Sequence, residues 1–207
     1  MNRRKFFLSS IATAISGGAA GLLSVPAAGQ TAARPPAASA PGIRLYKFVY
    51  DRRYAAGRAF GVAAERAGSC AGIAAIGGDI TALWLRELKP LWAAGGGAIA
   101  GLTSARTLLC LEQLAKDQWM RVLIRAEHLT AGHDSAHRLT ASEPMIARMS
   151  PALAEADWPS RMPAILATCQ RADTATLATR MVGSACSQGR APTGEALVSF
   201  VIGGTIL

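Results

Sequence analysis

Apolar and polar residues alternate along the chain in blocks from residue 43 onwards. Residues 43–50 are β-branched and aromatic, which is typical of a strand. Residues 52–67 follow with arginines and glutamates on one side and small or aromatic residues at helical spacing on the other. Gly68 marks the end of this predicted helix. Its expected inward face consists of Ala56, Ala59, Phe60, Ala63 and Ala67.

The same alternation recurs three more times. Short apolar runs at 71–76, 98–102 and 120–125 predict strands. A helix capped by Asp79 follows the first run and is ended or kinked by Pro90, and a helix over 105–116 follows the second. Four strand and helix alternations predict an α/β fold, a three-layer sandwich around a mainly parallel, doubly wound sheet of about four to five strands.

Beyond residue 130 the pattern changes to a polar loop and shorter helical pieces. Helices are predicted to open at 150–151 and at 157–159, where Ser or Asp precedes a proline, and to cover the sheet. The apolar run 196–202 predicts a last strand at an edge of the sheet. Residues 43–207 are therefore expected to form one domain, with the alternating core at 43–129 and the loop, helices and last strand at 130–207.

The N-terminal residues have the layout of a signal peptide. Arg3, Arg4 and Lys5 precede an apolar, Gly- and Ala-rich segment over 6–23. Two adjacent arginines, one spacer and two bulky apolar residues resemble the motif of twin-arginine (Tat) signal peptides, with Arg3 and Arg4 as the twin arginines. The resemblance implies export of the folded protein to the periplasm, with the Tat translocase and signal peptidase as transient partners. An uncleaved signal that anchors the protein to the membrane is the alternative.

Small residues near 25–28 suggest cleavage there, so 1–28 is the predicted signal and 29–42, rich in Ala, Pro, Ser and Thr, a flexible linker. Loss of the three basic signal residues lowers the formal net charge from +9 to +6. An exported chain does not meet nucleic acid, and a positive charge favours a small anionic ligand, an acidic partner enzyme or an anionic membrane surface.

Polar residues follow each predicted strand, at the point where the strand ends. The carboxyl ends of parallel strands share one edge of a sheet, which is where such folds bind ligands. Each of these residues, taken alone, is also typical of a helix cap or a surface ion pair. A ligand pocket is suggested only by their occurrence together at one edge of the sheet. The candidate ligand-binding residues are Asp51, Arg52, Asp79, Thr103, Ser104 and His128.

The three histidines of the chain, His128, His133 and His137, lie within ten residues of each other. If residues 132–138 were helical, His133 and His137 would lie on one face at the spacing that lets two imidazoles share a divalent metal, and His128 or Glu127 would complete the site. The alternative is a polar loop of unliganded histidines. His133-Asp134-Ser135-Ala136-His137 has Asp where the zinc-protease helix motif has its catalytic Glu, which argues against a protease.

Four cysteines would reach an oxidising compartment. Cys110 falls in the apolar part of a predicted helix and is interpreted as a buried small hydrophobe. Cys169 and Cys186 are the candidate disulfide pair. Cys70 lies in a Gly-Ser-Cys-Ala-Gly sequence that lacks the strand-before, helix-after context of a nucleophile elbow.

Two functions stay open at this point. The first is a periplasmic binding protein, or an accessory protein of an exported redox enzyme, that holds a small ligand or a partner at the strand-end edge. The second is a metal-dependent, hydrolase-like enzyme that uses the three histidines, with Asp51 or Asp79 as base. The sequence contains no complete catalytic constellation that decides between them.

Overall fold

The computed structural model describes residues 43–70, 72–131, 134–169, 176–183 and 196–204. The predicted signal, the linker, Arg3, Arg4, His133 and Cys186 lie outside these residues. No helix within them is long and apolar enough to cross a membrane. The fold is α/β, and its strands form a single mixed sheet.

The elements follow one another in the order strand, helix, strand until β4. The strands are β1 (Leu45–Asp51), β2 (Gly72–Ile76), β3 (Ala98–Ser104), β4 (Met120–Ala131), β5 (Asp134–Ala141), β6 (Ala178–Gly183) and β7 (Leu197–Gly204). The helices are α1 (Ala55–Ala67), α2 (Thr81–Leu83), a π-helical turn (Trp84–Leu88), α3 (Lys89–Ala93), α4 (Ala105–Lys116), α5 (Glu143–Leu153) and α6 (Trp158–Ala167).

The seven strands lie in the order β2-β1-β3-β7-β4-β5-β6. In the described part of the chain, β1 pairs in parallel with β2 and β3, and the other four pairings are antiparallel. The expectation of a mainly parallel sheet with four to five strands is therefore wrong. Parallel pairing ends at β3 because β7 lies between β3 and β4 and pairs antiparallel with both.

The last strand is central and does not lie at an edge as predicted. β7 pairs with β3 from Ile99↔Ile202 to Ser104↔Leu197, and with β4 from Met120↔Gly204 to His128↔Leu197. Its side chains from Val198 to Ile202 are buried. The apolar run that predicted a strand is thus explained by a strand covered on both sides.

The region predicted as a loop after residue 132 contains β5, which pairs along its whole length with β4. Residues 134–141 are a strand, so the helical spacing assumed for His133 and His137 is wrong. The helix predicted to open at Ser150 and Pro151 instead begins at Glu143 and contains Pro151. α6 begins at Trp158 with Pro159 in its first turn, as predicted.

Pro90 does not end the helical segment after β2. The π-helical turn directly precedes α3, and Pro90 lies in the first turn of α3. Proline has no N–H to donate and crowds the preceding turn, and a π-helical turn accommodates both effects. Ile80, Leu83 and Leu88 of this segment are buried.

Two apolar clusters form the core. The first combines residues of α1, α5 and α6 with β-strand residues such as Phe48 and Val201. The second combines residues of α2, α3 and α4 with Val49, Val198 and Phe200. Adjacent residues of β1 and of β7 divide between the two clusters, as the alternation of side chains along a strand requires.

Helix α1 packs against β1 through a face that contains two glycines, which differs from the predicted face of four alanines and Phe60. Its buried residues are Gly57, Phe60, Gly61 and Ala64, so the inward face is rotated by about one residue. A Cβ at Gly57 would lie 2.1 Å from the Asp51 carbonyl oxygen. Glycine therefore permits the close approach of α1 to the carboxyl end of β1, where the candidate site lies.

Candidate functional site

The carboxyl ends of β1, β2, β3 and β4 point to the same edge of the sheet. β3 and β4 are each antiparallel to β7 and hence run in the same direction. Pairing also places Ser104, Leu197 and His128 in one row across β3, β7 and β4. The structure thus brings the sequence-predicted candidates to one edge, although most of them are engaged in contacts within the protein.

Asp51 is fully buried at the end of β1 and forms an ion pair with Arg53, not with Arg52. Arg53 donates from Nη2 to Oδ2 at 2.7 Å and from Nε to Oδ1 at 3.0 Å. The backbone N–H of Arg53 also donates to Oδ1, at 3.1 Å. The carboxylate thereby fixes the turn between β1 and α1, which is a structural role.

Three arginines surround this turn. Arg52 and Arg58 are exposed, and Nη1 of Arg58 donates to the carbonyl of Arg52 at 2.9 Å. The guanidinium of Arg53 lies over Gly78, because a Cβ built on Gly78 would be 2.5 Å from its Cζ. Nε and Nη2 of Arg52 lie 3.8 Å from the Cβ position of Gly77. Three guanidinium groups therefore converge on the carboxyl ends of β1 and β2.

A groove of ≈ 350 Å³ begins beside this cluster and follows the outer edge of β2. Asp79 is exposed at its rim and accepts a hydrogen bond from the backbone N–H of Thr81 at 2.8 Å. That hydrogen bond lowers the pKa of Asp79. Asp79 therefore accepts from the first N–H of α2 as expected, but it lies one residue before the N-cap position, which is Ile80. The lining residues are Ile73, Ala74, Ala75, Ile76, Gly77, Asp79, Ala82, Leu83, Arg86 and Glu87.

Thr103 and Ser104 are buried where β3 passes into α4. Ser104 is the N-cap of α4, and its Oγ accepts from the N–H of Thr107 at 3.3 Å. Oγ1 of Thr103 donates to the carbonyl of Ser104, also at 3.3 Å. Both hydroxyls therefore serve the strand–helix junction, the capping alternative that the sequence left open.

His128 and His137 meet inside the protein, below α6. They face each other across β4 and β5, and their Nδ1 atoms are 2.8 Å apart. Nε2 of His128 is 2.8 Å from Oγ of Ser199 on β7. The ring of Trp158 stacks on His128 with centroids 3.8 Å apart and meets His137 edge-on at 5.5 Å. All four side chains are buried.

A chain of hydrogen bonds from Ser199 through His128 to His137 can form when both imidazole rings are neutral. When Ser199 donates to Nε2 of His128, His128 carries its proton on Nδ1 and donates to His137. His137 then carries its proton on Nε2, a buried atom without a partner at hydrogen-bond geometry. The backbone of Leu153 also interacts with His137 and raises its pKa.

Burial lowers the pKa of both histidines. Desolvation is the main cause for His128, whose pKa lies well below 6.5, and the neighbouring His137 lowers it further. Desolvation also lowers the pKa of His137, and Leu153 partly offsets this. Both imidazoles are therefore neutral at neutral pH, which is the form that binds metals and accepts protons.

Metal binding by the three histidines stays a prediction. The structure brings His128 and His137 together, while His133 lies outside the described residues. Among the residues the structure describes, no group of three or more His, Cys, Asp or Glu side chains is arranged to hold a metal. Two of the three proposed ligands are thus in contact, across two strands and not along a helix.

Cys110 is exposed on α4, so the interpretation as a buried hydrophobe is wrong. The inward stripe of α4 consists of Leu108, Leu111 and Ala115, and Cys110 lies on the opposite side. Cys169 is buried beside the first apolar cluster. Its candidate partner Cys186 is outside the described residues, so the disulfide stays a prediction.

Comparisons with protein-family models, curated proteins and solved structures found no match.

Sequence reasoning missed Arg53, Arg58, Trp158 and Ser199 as members of these two sites. Arg58 was assigned only to the polar face of a helix, although it follows Arg52 and Arg53 by only six and five residues. Ser199 is distant in sequence and is placed beside His128 only by the central position of β7. The spacing of residues carries no signal for that contact.

Proposed function

We propose that this protein is exported to the periplasm by the Tat route and holds a small anionic ligand at the carboxyl ends of β1 and β2, alone or as an accessory protein of an exported enzyme. The observation that carries the proposal is a group of three arginines after β1. The guanidinium groups of Arg52 and Arg53 lie beside Gly77 and Gly78, and Arg58 donates to the carbonyl of Arg52. Guanidinium groups present planar pairs of donors that match carboxylates and phosphates.

The balance of charge at this edge supports an anion. Asp51 forms its ion pair with Arg53 and is buried below the surface, whereas Arg52 and Arg58 are exposed. Gly78 has no side chain, and the guanidinium of Arg53 occupies the space where its Cβ would lie, which holds this arginine close to the backbone of the turn. The groove of ≈ 350 Å³ along β2 meets this turn at Gly77, and its charged lining residues are Asp79, Arg86 and Glu87.

Isothermal titration with phosphate and with citrate tests this proposal. The double variant Arg52→Gln/Arg58→Gln is expected to lose anion binding by about tenfold or more, because two charge-assisted contacts are removed. Arg180→Gln is the matched control, since Arg180 is exposed on β6 at the opposite edge of the sheet and pairs with Glu143. Equal affinity in all three proteins, or no binding by the unchanged protein to either anion, would reject an anion site here.

The export route has its own test. Arg3→Lys/Arg4→Lys in the full chain is expected to retain the protein in the cytoplasm, because the twin arginines are the feature that resembles a Tat signal. Fractionation of cells that express either version measures this. Unchanged periplasmic recovery of the variant would point to another route.

A metal-dependent enzyme is the second candidate, and the contact between His128 and His137 favours it. Two nitrogens that share a tetrahedral zinc ion lie roughly 3.3 Å apart, given Zn–N bonds of about 2.0–2.1 Å. The observed 2.8 Å between the Nδ1 atoms is close to that separation. One metal per chain in protein purified without added metal, lost in His133→Ala/His137→Ala, is the expected result for this candidate, and metal-free protein would exclude it.

We also infer that helices cover both faces of the sheet in a three-layer arrangement, with α5 and α6 as the C-terminal cover. The support is the division of the core into two clusters, one with residues of α1, α5 and α6 and one with residues of α2 to α4. Such layering leaves the carboxyl edge of β1 and β2 as the open end where the proposed ligand would bind.

A further inference from the structure

β2 is an edge strand whose outer side has no strand partner in the described part of the chain. It stands first in the strand order and pairs in parallel with β1 alone. The carbonyl of Ile76 accepts from the N–H of Arg52 at 2.9 Å, so the backbone groups of Ile76 point towards β1. Because these groups alternate in direction along a strand, the N–H and C=O groups of Ile73 and Ala75 point away from β1. They form a row of donors and acceptors that another extended chain can use.

The groove of ≈ 350 Å³ along β2 is the place where such a chain would lie. Its strand residues 73–77 span about 13 Å at about 3.3 Å per residue, which is enough for a strand of about four to five residues. Ala75 is exposed, and its methyl group is too small to cover the backbone. The groove is also lined by Ala82, Leu83, Arg86 and Glu87 of the helical segment that follows β2.

This helical segment favours a single extended chain over a second copy of the protein. In a symmetric antiparallel pairing of two β2 edges, the segments of both copies would lie on the same face of the joined sheet and beside the same edge. They would therefore meet each other across the new strand pair. One added strand needs only the space of the groove.

The charges at the two ends of the groove indicate the direction of the added chain. At the amino end, Lys47 is paired in register with the first residue of β2 and forms an ion pair with Glu87, so no charge is left over. Beside the carboxyl end, Arg52 and Arg58 are exposed and form no ion pair with a described residue. Asp79 is the exposed acidic side chain at that end, so two positive charges face one negative charge. A carboxylate is thus favoured at the carboxyl end of β2.

We propose that an extended polypeptide segment adds to the seven-stranded sheet beside β2, parallel to it, with its terminal carboxylate at Arg52. Backbone hydrogen bonds to Ile73 and Ala75 supply affinity that depends little on the sequence of the segment. The parallel direction brings the carboxyl terminus of the segment to the carboxyl end of β2. The carboxylate contact rests on the anion site proposed above and names its ligand class, whereas the strand addition depends only on the edge of β2.

Fluorescence anisotropy with a short labelled peptide tests the strand addition in the full chain. The probe is fluorescein-Thr-Val-Thr-Val-Val with a free terminal carboxylate. In a parallel strand every second N–H of the peptide points to β2, so N-methylation at alternate residues is expected to weaken binding by about tenfold or more. N-methylation at the residues between them should have little effect. Equal effects at all positions, or no binding of the unmethylated peptide, would overturn the proposal.

Ala75→Pro and Ala75→Ser test the same contact from the side of the protein. Proline removes the outward N–H of residue 75 and no hydrogen bond to β1, which is a position that edge strands tolerate. Ala75→Pro is expected to weaken peptide binding by about tenfold or more, whereas Ala75→Ser keeps the N–H and should bind as the unchanged protein does. Equal binding by the proline variant would contradict strand addition. The methylated peptides keep the test independent of the folding of this variant.

An amidated peptide and Arg52→Gln test the carboxylate contact. Amidation is expected to weaken binding to the unchanged protein by about tenfold and to have little effect on binding to Arg52→Gln. Equal binding of acid and amide by the unchanged protein would overturn the contact and the parallel direction that follows from it.

Titration with phosphate and citrate separates this proposal from the anion site. Ala75→Pro is expected to bind both anions as the unchanged protein does, because residue 75 contributes no charge. Binding of the anions without binding of the peptide would retain the anion site and overturn strand addition. Binding of the peptide with alternating effects of methylation, but of neither anion, would support strand addition and reject the anion site. A dimer of the peptide-free protein that Ala75→Pro dissociates would assign the edge to a second copy and overturn the proposal.

Discussion

Acidification is expected to destabilise this protein through His128 and His137. Both rings are buried, and burial lowers the pKa of each below 6.5. In the unfolded chain the two histidines regain ordinary values and bind protons as the pH falls below about 6.5. The unfolded state then binds more protons than the folded state, so the free energy of unfolding decreases as the pH decreases.

The magnitude follows from the proton linkage. A histidine that stays neutral in the folded state lowers the free energy of unfolding by about 1.4 kcal/mol at about pH 5.5, one unit below its pKa in the unfolded chain. His128 is expected to contribute this amount, because its pKa lies well below 6.5. The pKa of His137 is lowered less, so the pair together should contribute between about 1.4 and about 2.8 kcal/mol.

Urea denaturation at several pH values between about 7.5 and about 5.5 measures this loss, since carboxylates titrate mainly below that window. His137→Gln is expected to reduce the pH dependence, because one of the two titrating groups is removed. His133→Gln is the control and should keep it, because both buried rings remain. A free energy of unfolding that is constant over this range, or that increases on acidification, would refute the buried and neutral state of the pair.

Three further predictions concern the elements that position the candidate site. Asp51→Asn should lower the free energy of unfolding by about 2 kcal/mol in urea denaturation, because it removes a buried partner of the half-exposed Arg53; a change near zero would contradict the structural role of this pair. Gly57→Ala should destabilise by about 2 kcal/mol although alanine favours helices, since its Cβ would meet the Asp51 carbonyl at 2.1 Å; a more stable variant would contradict the close packing of α1. Ser104→Ala should cost about 1 kcal/mol by removing the cap of α4, measured by thermal unfolding against the exposed control Ser160→Ala.

Local signals in the sequence predicted the first half of the fold well. Helix 105–116 matches α4 because Ser104 caps it and its leucines recur at helical spacing. Gly68 ends α1 with a φ of +57°, as its position after the apolar stripe predicts. These features depend on residues within one or two turns of each other. They can therefore be predicted without knowledge of the tertiary structure.

The second half depends on contacts between residues distant in sequence. An apolar strand inside a sheet and one at its edge look alike in sequence, so the run at 196–202 did not predict that β7 separates β3 from β4. In β5 the inward positions are His137, Leu139 and Ala141. Because one of these positions is a polar histidine, the sequence does not show the regular alternation of apolar residues that is typical of a strand. A polar residue in an inward position is the reason that a strand was interpreted as a loop.

That same histidine gives the buried cluster a role in the topology. His128 on β4, His137 on β5 and Ser199 on β7 form hydrogen-bonded contacts across three adjacent strands. Slipping any one of these strands by one residue would turn its polar side chain to the other face and leave the remaining partners buried without hydrogen bonds. Apolar residues alone would tolerate such a slip more easily, since they do not need particular partners. We therefore expect the cluster to fix the register of the late, sequence-distant β7, whether or not His128 and His137 also bind a metal.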